Sequence, residues 1–90
     1  MKPTFLTLVQ MFQMEGMVAL GKMLNPATNE LTPNVEHARY VIEILEILKT
    51  STVGNLAEKD QGFLDQTIAT LKLNFLELDK NQELPQNGEA

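Results

Sequence analysis

KTSTVGNL, Lys49 to Leu56, separates two runs rich in leucine and isoleucine, and its reading decides the fold. A Gly-Asn pair between apolar runs marks a strand hairpin when the runs alternate, and helix punctuation when they repeat every three or four residues. Upstream, Tyr40, Val41, Ile44, Leu45 and Leu48 recur at helical spacing, and downstream Leu64, Ile68, Leu71, Phe75 and Leu78 step four-three-four-three. Neither run alternates, so the stretch is read as a helix–helix turn. Gly54 suits the left-handed position that ends a helix, Asn55 suits the N-cap of the next, and Glu58 stands at capping-box spacing from Asn55. A phosphate-binding loop would need a preceding strand and a glycine-rich turn followed by lysine, and this stretch has neither.

The third helix is expected over about 56–78, with a second set of positions, Gly62, Gln66, Ala69, Leu73 and Leu76, on a different side from its main seam. The second helix is expected over about 33–50, with Thr32 as N-cap and Pro33 in the first turn, where the missing N–H is no loss. Its opposite face carries Glu36, Arg39, Glu43 and Glu46, with Arg39 one turn from Glu43 for an ion pair. The first helix is expected over about 4–24, with Thr4 as N-cap and Pro26 as the stop, and a stripe of Phe5, Val9, Phe12, Gly16, Ala19 and Met23. Residues 25–34 form a loop. The whole is an all-α, three-helix bundle-like protomer in a single domain over 1–79, with helices 2 and 3 as an antiparallel hairpin. The polar run 80–90, containing Pro85 and Gly88, is expected to be a disordered tail.

Composition narrows the function. Ninety residues make one small domain with much of its surface exposed. Seven basic residues against twelve acidic give a net charge of −5, and no stretch concentrates Lys or Arg, which disfavours nucleic acid. The absence of cysteine excludes disulfides and thiolate metal sites and suits a reducing, cytoplasmic setting. Gln10, Gln13, Glu15 and Lys22 interrupt the apolar N-terminal segment, so it is read neither as a membrane span nor as a signal peptide.

The segments LVQMFQMEGMVALG, HARYVIEILEIL and TVGNLAEKDQGFLDQTIATLKLNFLEL resemble the bacterial domain-of-unknown-function family catalogued as number 1844. The matching positions are Leu20 and Gly21, then Ala38, Arg39, Ile42, Glu43 and Leu45, then Thr52, Gly54, Asn55 and Leu56. Glu43 stands where the family usually has aspartate. Ala57 replaces a small hydroxyl residue, and Asp60 takes a position often held by glutamate. The resemblance implies a small helical bacterial protein and brings no catalytic residues.

His37 is the only histidine, and no His-x-x-x-His or Glu-x-x-His pair accompanies it, so a structural role is preferred to a metal ligand. Glu43 and Glu46 share their face with Arg39 and Lys49, as a solvated ion-pair face does. Asn25, Asn29 and Glu30 lack the acidic spacing of a calcium loop. Gly16 and Gly21 weaken a helix, and close approach of a neighbouring helix accounts for them. No catalytic constellation, cofactor site or metal site is legible, and a non-enzymatic protein is expected.

The apolar residues cover more of helices 1 and 3 than one small core uses. This points to a homodimer or small even oligomer, with Met11, Met14 and Val18 on helix 1 and Ala69, Leu73 and Leu76 on helix 3 as interface candidates. A ligand-binding or catalytic bundle around His37, Tyr40 and the methionines is the first alternative, and it calls for a deep closed pocket. Peripheral membrane association through helix 1 is the second, and the chain's acidity argues against it.

Overall fold

The computed structural model describes the backbone of residues 2–89 and the side chains of residues 2–80. Three helices, α1 (Phe5–Ala19), α2 (Val35–Ser51) and α3 (Glu58–Glu89), pack against one another in an all-α bundle. The α2–α3 hairpin is antiparallel. Arg39 lies over the ring of Phe75, Glu46 pairs with Lys72, and Lys49 pairs with Asp65 at 3.1 Å, so positions rise along α2 as they fall along α3.

Helix α1 starts as its sequence dictates. Thr4 Oγ1 accepts from the Thr7 N–H, and Thr7 Oγ1 accepts from the Thr4 N–H at 3.1 Å, a capping box with threonine in the place of glutamate. Its end falls short of the expected residue 24. Gly21 adopts φ +76°, its N–H donates to the Val18 carbonyl at 3.0 Å, and the Lys22 N–H donates to Met17 at 2.9 Å. This pair of bonds is the Schellman closure, which satisfies the orphan carbonyls of the last turn and stops the helix well before Pro26 can. Met23 therefore lies outside α1 and is exposed rather than part of the stripe.

The start of α2 also differs from the Thr32–Pro33 cap. Asn34 is the N-cap, its Oδ1 accepting from the His37 N–H at 3.1 Å. Pro33 is placed just before it, beside Gly21, and the Asn34 N–H is tied to the Ala19 carbonyl at 2.8 Å. The loop between is organised by Asn25. Its Oδ1 accepts from Ala27, its Nδ2 donates to Thr32 Oγ1, and its backbone pairs with Glu30 across a short bridge. Asn25, Asn29 and Glu30 thus serve turn chemistry, with Asn29 at φ 58°.

In the deciding stretch, Gly54 has φ +82° as expected, and the Asn55 N–H donates to the Thr52 carbonyl at 2.9 Å. A positive φ at the third position of an i→i+3 turn is the type II pattern. Asn55 belongs to this turn and is not the cap of α3. The helix begins at Glu58, and the Ala57 carbonyl accepts its first bond, from Gln61. The expected Asn55–Glu58 capping box is therefore not formed, since the helix follows Ala57, two residues past Asn55, and Glu58 is left as an acidic first-turn residue at the positive helix end. The backbone of α3 runs past Leu78 to Glu89. The side chains of residues 81–90 are outside the described ones, and so is the expectation of a tail over 80–90.

The core is formed by Val9, Ala19 and Leu20, by Ala38, Val41, Ile42 and Leu45, and by Leu64, Ile68 and Leu71, with Phe5, Phe12, Phe75 and Leu78 packed around it. The α3 seam is as expected. The α2 stripe is rotated, because Ala38 and Ile42 face inward while Tyr40 stays 58% exposed. Gly16 is buried where α1 meets its neighbours. A Cβ there would stand 3.1 Å from both δ carbons of Leu71 and 3.4 Å from a γ carbon of Val41, so this glycine marks close helix approach.

Candidate functional site

The inward side of α1 carries Val9, Gly16 and Ala19, with Phe5 and Phe12 packed against the core, and Met11 and Met14 point outward. Met11 and Met14 are 65% and 53% exposed, and Val18 is half-buried. The loop 22–34 folds back beside them because Gly21 turns the chain and Asn34 ties it to Ala19. The result is an open groove of about 700 Å³ whose floor is Met11, Met14, Val18 and Pro26. Its polar rim is Thr7, Gln10, Glu15, Asn25, Asn34 and His37.

That rim is mostly committed to itself. His37 Nε2 lies 2.9 Å from Glu15 Oε2, and since a carboxylate only accepts, Nε2 carries the proton of this bond. Tyr40 stacks on the His37 ring at 6.0 Å between centroids and lies outside the groove lining. Asn34 Oδ1 caps α2, both ends of the Asn25 amide are bonded within the loop, and Thr7 is bonded to Thr4. Gln10 is the one rim side chain without a described hydrogen bond. The groove therefore offers apolar packing surface and little directional recognition.

The helix 3 candidates lie elsewhere. Ala69, Leu73 and Leu76 are exposed, Leu73 and Leu76 at 62% and 63%, on the side of α3 away from the Leu64–Ile68–Leu71 seam. Leu76 borders a smaller hollow of about 340 Å³ between α2 and α3, with Arg39, Glu43, Glu46 and Lys72. No residue lines both recesses. The expected interface thus divides into two separate faces.

The charged face of α2 is tied inward more than the sequence suggests. Arg39 pairs with Glu36 rather than with Glu43, and the Glu36 carboxylate, first by hydrogen bond and then by charge, holds the guanidinium above its ordinary value. Arg39 also sits 5.3 Å from the Phe75 ring centroid. Glu46 and Lys49 reach across to α3. These contacts brace the hairpin, and Glu43 and Glu46 are not a carboxylate pair aimed at a substrate. Among the described residues, no group of three or more His, Cys, Asp or Glu side chains is placed to hold a metal ion, and no helix is long and apolar enough to cross a membrane.

A family model matches residues 2–77 of the 90. The chain belongs to the family described as a domain of unknown function, DUF1844. The DUF1844 match takes in α1 with its cap, the organised loop, α2 and α3 as far as Glu77, so both exposed faces lie within it. No curated protein and no solved structure gives a significant match.

The His37–Glu15 contact spans 22 positions and has no local sequence signal, because it depends on the return of the loop. Asn34 as cap is a residue that sequence reasoning passes over, although asparagine two positions before an acidic residue and three before His37 satisfies the ordinary N-cap rule.

Proposed function

We propose that this chain is a small, non-enzymatic bacterial cytoplasmic protein that works through protein–protein contacts, and that the groove face of α1 is covered by a second copy in a homodimer. The observation that carries this reading is the charge content of α1. Its fifteen residues include one charged side chain, Glu15, and that one is paired with His37. A peripheral helix of a monomer normally turns a charged face to water. Here the exposed residues are Leu8, Gln10, Met11, Met14 and the paired Glu15, and interface cores are depleted in charge and enriched in methionine. In a chain of net charge −5, an uncharged face is also where two like-charged copies meet with least repulsion.

Two features weigh against a small-molecule site. The groove is open rather than enclosed, and its rim hydrogen bonds are already made within the protein. A polar ligand would have to break them, whereas an apolar helix face leaves them in place.

The test is molar mass by light scattering on the parent and on Met11→Glu/Met14→Glu, whose side chains are exposed in the protomer and tolerate charge there. The expected result is a self-associated parent and a folded monomer-shifted variant. A parent that is monomeric at high micromolar concentration refutes self-association, and an associated variant refutes this choice of face.

A further inference from the structure

The outward face of α3 has no role in the dimer just proposed, shares no lining residue with the groove, and presents a spacing of its own. Gln66, Ala69, Leu73, Leu76 and Lys80 step three-four-three-four, which is the repeat of a helix pairing along its length. Leu73 and Leu76 are more than half exposed. Lys72 and Glu77 flank the pair, one on each side, both outward enough to be exposed.

We propose that this face is a second self-association surface, on which α3 pairs in parallel with α3 of another copy, so that α1-linked dimers join into a dimer of dimers. The inference rests on the α1 dimer reading. The occupant follows from charge and symmetry. In a parallel two-fold pairing, residues of one layer face their own counterparts, Leu73 against Leu73 and Leu76 against Leu76. The flanking residue before one layer faces the residue five positions later on the partner. Lys72 of one copy then faces Glu77 of the other, and the two-fold axis repeats the pair. The face is thus self-complementary in charge as well as apolar at its centre. Lys72 already pairs with Glu46 of its own chain, and its three donors allow it to bridge that carboxylate and a second one. Two leucine layers make a small contact, so this is the weaker, concentration-dependent step.

Sedimentation from low micromolar to millimolar concentration reads the assembly. The parent is expected to pass from two chains to four, and Leu73→Glu/Leu76→Glu is expected to stop at two with an unchanged circular dichroism spectrum. Glu77→Lys, which puts like charges against Lys72, is expected to shift the second step to several-fold higher concentration, and raised salt is expected to weaken that step more than the first. Because the chain has no cysteine, Leu73→Cys gives a single reporter. Under oxidation it is expected to form the 73–73 disulfide that a parallel pairing brings together. A parent that remains at two chains, or four-chain particles undisturbed by the leucine changes, overturns the second surface, and neither result touches the α1 dimer. Four-chain particles that form no 73–73 disulfide overturn the parallel pairing.

Discussion

Two glycines in helices, one packed and one free, allow the closeness of α1 to its neighbours to be measured. Gly62 lies in the fifth position of α3 with nothing within 4 Å of where a Cβ would be. Gly62→Ala changes little but backbone preference, and it should stabilise the fold by about 1 kcal/mol, or raise the melting temperature by roughly 4–8 °C. Gly16→Ala brings the same backbone gain. Its methyl group, however, would stand 3.1 Å from both Leu71 δ carbons, where unstrained carbon contacts are about 3.5–4.0 Å. Leu71 and Val41 are themselves fully buried. Overpacking of this kind costs about 1–3 kcal/mol, so the net change runs from near zero to about 2 kcal/mol destabilising. The useful quantity is the difference between the variants, about 1–3 kcal/mol, because the propensity gain cancels in it. Urea unfolding followed by circular dichroism at one fixed protein concentration measures it, since association makes apparent stability concentration-dependent. Equal stabilisation by the two substitutions would refute the close approach of α1 to α3 at Gly16.

Four further outcomes are expected from the same assay. Gly54→Ala places a side chain at φ +82° with open space around it, so it should lose only the left-handed backbone term, about 1–2 kcal/mol. Gly21→Ala carries the same term plus a Cβ 3.2 Å from the Pro33 Cβ, and should lose more than Gly54→Ala; a smaller loss would mean that the Pro33 contact is soft. Thr67 is buried in α3 and its Oγ1 has no hydrogen-bond partner in the described structure, so Thr67→Val should stabilise by about 1 kcal/mol, and a loss would reveal a bonded hydroxyl. Thr4→Ala removes one half of the α1 capping box and should destabilise by about 1 kcal/mol, with the loss of helicity confined to α1.

The parts of the fold legible in the sequence are those where one pattern excludes the others. The α3 seam has a regular step and polar residues between, so its phase is unique. Helix α2 carries aliphatic residues at 41, 42, 44, 45, 47 and 48, which leaves the phase to tertiary contact. The small Ala38 then takes the close position, and Tyr40 turns out to stack on His37. Helix ends were harder to place because two residues can satisfy one rule. Thr32–Pro33 and Asn34–Val35 are both acceptable starts, and the contact of Pro33 with Gly21 selects the second. Gly21 was visible as a glycine that needs a reason, but the reason is a Schellman closure at a left-handed φ and not helix packing. At the candidate site, the methionine-rich face was legible from composition. The return of residues 25–37 onto it was not, because it hangs on backbone bonds between segments, such as Asn34 to Ala19.

The contrast between α1 and α2 ties fold to function. Both helices pack on the same core, and both are of similar length. Yet the seventeen residues of α2 include Glu36, Arg39, Glu43, Glu46 and Lys49, whereas α1 has Glu15 alone. Helix propensity does not require this, since charged residues are as acceptable in α1 as in α2. Core packing does not require it either, because the inward side of α1 uses Gly16 and Ala19 to draw the helices together and leaves Met11 and Met14 facing out. Exposing each large side chain forgoes about 1.5–3 kcal/mol that burial would supply, and a small domain is in no position to leave this unused. A helix whose inner side is close-packed at Gly16 and whose outer side carries flexible, uncharged methionines is suited to contact on both sides at once. On the homodimer we propose, the inner side sets the protomer and the outer side is what a second copy covers, so assembly and stability in this chain are expected to rise together with concentration.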